Sequence, residues 1–313
     1  MGKWVQVAPQ LNSQTFIPSL VEYNGKLYGG TRVGGRLFEW NDSNAWVQVA
    51  PQVAGTSGTV ALAVYNSKLF AGTGNQGKLF YWNDINAWVE AAPQLGDQNT
   101  IDDIIVYNNK LYGCTGSDVF GTGGRLYEWN DINAWVEVAG HLVEAEVQSL
   151  AVYNGKLYGG TQNTGRLYEW DDISAWVEVA GQLNSQVGIL SLAVYGGKLY
   201  GGTDAGGRLF EWNDVNSWVQ VAPELDSQRS ILSLLVYNGR LYGGTTGQGA
   251  PAGGRLFRWN GADSWLEEAP ALNNQNNIQA LAEYNGRIYG GTSGGGRLFE
   301  WHRGGGLIRV NII

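Results

Sequence analysis

The chain is 313 residues long, with 47 Gly, 14 Trp, 16 Tyr, one Met, one Cys and only 15% charged residues. That composition suits short strands with tight turns and aromatic packing, and it excludes disorder or long helices. A net charge of −8 disfavours nucleic acid and anionic membranes, whose affinity is carried by clustered Lys and Arg.

The opening MGKWVQVAPQ has no apolar run, so neither a signal peptide nor a membrane span is expected and the predicted location is cytoplasmic, the alternative being a domain of a longer chain. Ser19 to Tyr23 reads as a strand ending at Asn24-Gly25, the dipeptide preferred by a two-residue type I′ hairpin. Lys26 to Thr31 is a second strand and, after a Gly-rich loop, Arg36 to Trp40 a third. Asn41 to Asn44 makes an Asx-type turn, and Ala45 to Ala50 is a fourth strand stopped by Pro51. The unit then recurs. Its phrase-closing threonines are Thr31, Thr73, Thr115, Thr161, Thr203, Thr245 and Thr292, stepping by 42 residues except for steps of 46 and 47 after Thr115 and Thr245. Seven repeats of this length and content predict an all-β, seven-bladed β-propeller of four-stranded antiparallel blades, forming one domain over residues 1–313.

The last repeat loses its pattern after Trp301, while Trp4 heads an orphan fourth strand. The N-terminal strand, residues 4–8, is therefore expected to complete blade seven and remove the open sheet edge. Residues 307–313 are then a surplus apolar tail. It could add a strand, lie on the surface or drive weak self-association, so the chain is read as a monomer or weak homo-oligomer.

Two tryptophan series, one led by Trp40 and one by Trp4, recur once per blade and are read mainly as packing between neighbouring blades. Cys114 stands where the other repeats have glycine (Gly30, Gly72, Gly160, Gly202, Gly244, Gly291), which reads as drift at a small buried site. His141 and His302 fall at unrelated positions, and Asp42, Asp84, Asp131, Asp172 and Asp214 are assigned to turn chemistry. No metal, cofactor or catalytic residue is expected, and the chain reads as a non-enzyme.

Candidate ligand contacts lie on the face carrying the loops between strands two and three and the connections between blades. Blades three and six carry longer loops there, at 116–124 with Phe120 and at 246–254. A cation opens each third strand, among them Arg36, Arg166 and Arg208. It is available to an anionic ligand or to the glutamates of its own blade, such as Glu39, Glu128, Glu169, Glu211 and Glu300. The connections offer amides, Asn12, Gln14, Asn184, Gln186, Gln228, Asn274 and Gln275, of the kind that bond sugar hydroxyls beside an indole.

The phrases AVYNGKLYGGT, GRLYEW and AWVEVA resemble the blades of tachylectin-2-type lectin propellers across all seven repeats, and more loosely those of kelch-type propellers. The lectin resemblance implies several equivalent sugar sites between blades. The functional expectation is a multivalent carbohydrate-binding module with glycan or protein ligands on the loop face. The alternatives are a protein-interaction or sensor propeller and a recently amplified or designed propeller with no specific ligand.

Overall fold

The computed structural model describes residues 2–11, 14–53, 55–116, 123–142, 146–183, 187–225, 228–248, 253–272 and 275–303. These form 28 strands and no helix. Blade one runs Ser19–Tyr23, Lys26–Gly30, Leu37–Trp40 and Trp46–Ala50, within a residue of the spans expected from its turns. Each later blade repeats this antiparallel meander, giving a closed seven-bladed propeller. Every inner hairpin is tight: φ is 48° at Asn24 and 70° at Gly25, the left-handed pair that a type I′ turn requires.

Ring closure follows the expected route. Lys3–Ala8 pairs antiparallel with Leu298–His302, setting Trp4 opposite Trp301 just as Trp46 stands opposite Trp40 in blade one. A Cβ on Gly290 would meet Trp4 Cη2 at 3.0 Å, and one on Gly29 would meet Trp46 Cη2 at 3.0 Å. The N-terminal indole thus occupies the same slot as its six relatives, beneath a closely approaching backbone where the repeat keeps glycine, or alanine at Ala71. The surplus tail, 307–313, lies outside the described residues. Blades six and seven are further joined by a bridge between Thr246 and Asn277, which makes one eight-stranded sheet of the two.

The core lies between blades. Trp82 packs against Tyr23 and Tyr28 of the preceding blade, with ring centroids 6.3 and 5.2 Å apart. Trp129, Trp170, Trp212 and Trp259 repeat the arrangement. Aromatic groups of this size bury on the order of 150–250 Å² each, so this series dominates the apolar cohesion of the ring. Deeper in, the second glycine of the pair faces a β-branched residue of the next blade, Thr59 at Gly30 and Ile at Gly72, Gly160, Gly202, Gly244 and Gly291. A Cβ on Gly202 would lie 2.7 Å from Ile231 Cγ2. Blade three breaks the rule with Cys114, and there the facing residue is the smaller Val147 in place of Ile, in one buried cluster. Burial pushes the thiol well above its ordinary pKa, so Cys114 is packing material, as its position in the repeat implied.

The turn aspartates do something the turn alone does not require. In the third-to-fourth-strand turn, Asn41 Oδ1 accepts the N–H groups of Ser43, Asn44 and Ala45 at 3.0, 2.9 and 3.0 Å. The Asx role therefore belongs to the asparagine. Asp42 instead accepts from the hydroxyl of Tyr284, in the preceding blade, at 2.7 Å and from Lys26 at 2.6 Å. The bridge from tyrosine through carboxylate to lysine recurs at Asp131, Asp172 and Asp214, fastening one blade to the next.

Candidate functional site

The inner strands of all seven blades surround a central funnel of about 790 Å³ that opens on the loop face. Its lower wall is a near-uniform aliphatic ring, Leu20, Leu62, Leu150, Leu192, Leu234 and Leu281. Aliphatic side chains there follow from crowding around the axis, where each strand presents the same residue of the repeat. Above them the lining is unequal. Blade three contributes Asp102 and Asp103, blade four Glu146 and Gln148, blade five Asp204, blade six Arg229 and blade one Arg32.

The acids sit inside and the cations at the rim. Asp102 and Asp103 are half-buried, open to the funnel but walled by protein on their other sides. Loss of hydration pushes Asp102 up from 3.8 to about 7, with smaller upward pushes from Glu146 and Asp103, against the Thr100 hydroxyl and Arg32, which lower it. Asp103 is pushed up to about 6 by the same loss of hydration, although it accepts the backbone N–H groups of Leu150 at 2.8 Å and Ile104 at 2.9 Å. It stands where other blades have Ser or Ala, so its bond to Leu150 ties blade three to blade four through a carboxylate. Asp204 is engaged, accepting from Ser230 at 2.5 Å and lying 3.4 Å from Arg229. Arg32 is exposed, its guanidinium 5.8 Å from the Phe16 ring. Among the described residues no cluster of His, Cys, Asp or Glu has the arrangement of a metal site.

The residues singled out from sequence lie elsewhere. Gln14, Gln228 and Gln275 are 0%, 0% and 1% exposed. Thr245 donates to Gln228 and Thr292 to Gln275, so these amides hold the connections against their own blades instead of facing outward. The same threonines take the N–H of the third-strand cation, as Thr31 does from Arg36 at 3.1 Å, which closes each upper loop. Asn12, Asn184, Gln186, Asn274 and Phe120 lie outside the described residues. The third-strand cations do not line the funnel. Arg166 pairs with Glu178 at 2.7 Å and Arg208 with Glu224 at 3.1 Å, while Arg36 makes no ion pair among the described residues. Pairing was expected with third-strand glutamates. Those accept tyrosine hydroxyls instead, as Glu39 does from Tyr28 at 2.9 Å, and the cations turn toward the outer edge of the blade.

The geometry has counterparts among solved structures. The WD40 β-propeller domain of Doa1 superposes with a TM-score of 0.70 at 13% identity, covering 97% of this chain and 98% of that one. A catalytically inactive virginiamycin B lyase from Staphylococcus aureus with quinupristin gives 0.76 at 11% identity, covering 96% and 99%. A chain of the Mitotic Checkpoint Complex gives 0.69 at 14%, covering 96% and 94%. The shared property is the propeller fold. No family model matches the chain, and no curated protein matches it.

The funnel acids were legible in principle. Aligning the repeats puts Asp103 in a column otherwise occupied by Ser19, Ala61, Ser149, Ser191, Ser233 and Ala280. A carboxylate in a small-residue column facing the axis is the signal that marks blade three.

Proposed function

We propose that this protein is a non-enzymatic recognition module that seats a protein partner on its loop face, with a cationic side chain of that partner entering the funnel. The carrying observation is the unequal funnel lining on an otherwise repeated frame. Asp102, Asp103 and Glu146 crowd one quadrant, and a Lys or Arg there would relieve the cost of charging Asp102 and Asp103, whose carboxyls have lost part of their hydration. A funnel of about 790 Å³ admits a side chain or short loop. The fold is shared with a chain of a multiprotein complex, which is compatible with such a role, and also with a lyase, so the fold by itself decides nothing.

The test is fluorescence anisotropy with labelled hexapeptides rich in Lys and Arg against acidic ones, at fixed ionic strength. Basic peptides are expected to bind, and Asp102→Asn with Glu146→Gln to weaken them about tenfold, the equivalent of about 1.4 kcal/mol. Equal binding of acidic and basic peptides would remove this reading.

A multivalent carbohydrate module of the tachylectin-2 type is the second reading. It is favoured by the near-equal connections between all blades, which would supply equivalent sites and hence avidity. The burial of Gln14, Gln228 and Gln275 leaves Asn12, Asn184, Gln186 and Asn274 to carry the polar contacts. A glycan array separates the two, since binding to a sugar that survives Asp102→Asn favours the lectin.

A further inference from the structure

On the turn face, opposite the funnel mouth, two junctions lack the repeat aspartate: Gly261 stands in its column between blades five and six, and a cation between blades six and seven. At four junctions a repeat aspartate accepts from a tyrosine of the preceding blade and from a lysine of its own. At the junction of blades six and seven the tyrosine is Tyr237, the lysine is replaced by Arg287, and the aspartate by Arg303. The carboxylate is missing and a second guanidinium stands in its column. Tyr237 still reaches its turn carbonyl, Gly286 O, at 2.5 Å, so the hydroxyl is held where it would meet an acid.

The neighbourhood is an open pocket of about 430 Å³, within the range of small-molecule sites. Arg240, Arg287 and Arg303 line it, with Glu300 as its one carboxylate. Glu300 is already saturated, by Arg287 at 2.5 Å, His302 at 2.9 Å and the Tyr289 hydroxyl at 3.0 Å. Tyr242 adds a hydroxyl that elsewhere donates to a third-strand glutamate. Here that glutamate is Arg258, which is itself paired with Glu268 at 2.5 Å. Neither Arg240 nor Tyr242 has a hydrogen-bonded or ion-paired partner among the described residues. In a chain of net charge −8 this is a local concentration of guanidinium and phenol donors with no acid left to receive them.

We propose that this junction binds a small organic carboxylate, whose oxygens take the place of the absent aspartate between Tyr237, Arg287 and Arg303. The other junctions set the chemistry: a planar two-oxygen acid bridging a phenol and a cation is what this frame holds. A guanidinium in place of lysine adds bidentate geometry for the same group. A dicarboxylate is the best fit, because Arg240 and Tyr242 offer a second set of donors across the pocket.

The test is titration calorimetry of the full chain with succinate, with inorganic phosphate and sodium chloride as arms at matched ionic strength. Succinate is expected to bind in the millimolar range or tighter. Arg303→Asp, which restores the residue the repeat uses, should weaken it at least about tenfold while keeping the native circular dichroism. Arg287→Gln should weaken it comparably, and Asp102→Asn in the funnel should leave it unchanged. Phosphate binding as tight as succinate would overturn the carboxylate assignment, as would undiminished binding by Arg303→Asp or no succinate heat beyond that of chloride.

Discussion

Replacing Asp102 with Asn keeps the shape of the side chain and removes its proton equilibrium. Loss of hydration in the funnel raises this carboxyl from 3.8 to about 7. The folded state therefore favours the protonated acid more than the unfolded chain does. A raised carboxyl contributes stability that is fully present below the unfolded value, near pH 4, and is lost as pH rises through the folded value, near 7. The shift is a little over three units, at most about 4 kcal/mol at about 1.36 kcal/mol per unit. Because the side chain opens on the funnel, water screens part of that cost, and about 1–2 kcal/mol is expected to be measurable.

The assay is urea denaturation of wild type and Asp102→Asn at several pH values from about 5 to 9. The wild type should lose stability across the window and the variant should lose about 1–2 kcal/mol less. Asp103, pushed up to about 6, titrates in both proteins, so the difference between them reports Asp102 together with its smaller coupling to Asp103. Parallel stability curves for the two proteins would refute the claim that the funnel withholds hydration from Asp102. A shallower curve for the variant that vanishes in high salt would point to repulsion from Glu146 instead of desolvation.

Gly202→Ala places a Cβ 2.7 Å from both Ile231 Cγ2 and Ser191 Oγ and should cost about 1–3 kcal/mol by thermal denaturation. Val147→Ile should be destabilising beside Cys114 but tolerated beside Cys114→Gly, a coupling that a double-mutant cycle measures. Gly261 occupies the aspartate column at φ 86°, a region Asp42 also adopts at 60°. Gly261→Asp should therefore give Tyr195 a partner and stabilise by about 0.5–1.5 kcal/mol, read by urea midpoint. Deleting residues 1–8 exposes the edge of Leu298–His302, and light scattering should then show self-association.

Most of the frame could be read from the chain because propeller geometry is written locally. Asn24-Gly25, Pro51 and the Trp4 phrase each act within a few residues, so strand limits and ring closure came out within a residue. The contacts between blades were less visible. Tyr284 and Asp42 are 242 positions apart, and nothing local to Asp42 distinguishes a turn former from a partner of the preceding blade. Gln228 and Gln275 misled for the opposite reason. An amide in a polar loop looks exposed, yet as the loop closes over the blade the amide turns in and its oxygen accepts from the Thr245 or Thr292 hydroxyl.

Departures from the repeat fall into two physical kinds. At Cys114 the change is answered by its neighbour: a larger atom on one blade faces a smaller side chain on the next, and the cluster stays closed. At Asp102 the Thr100 hydroxyl and Arg32 answer only in part, and at Arg303 no acid among the described residues does. The carboxyl stays in a place that disfavours its charge, and the guanidinium stands where the frame elsewhere keeps an acid. An answered change preserves packing and needs no ligand. One not fully answered leaves a charge that an incoming group of opposite sign can satisfy, and both such changes lie in the lining of an open cavity. That coincidence separates the funnel and the blade six–seven junction from the rest of a surface built of near-copies.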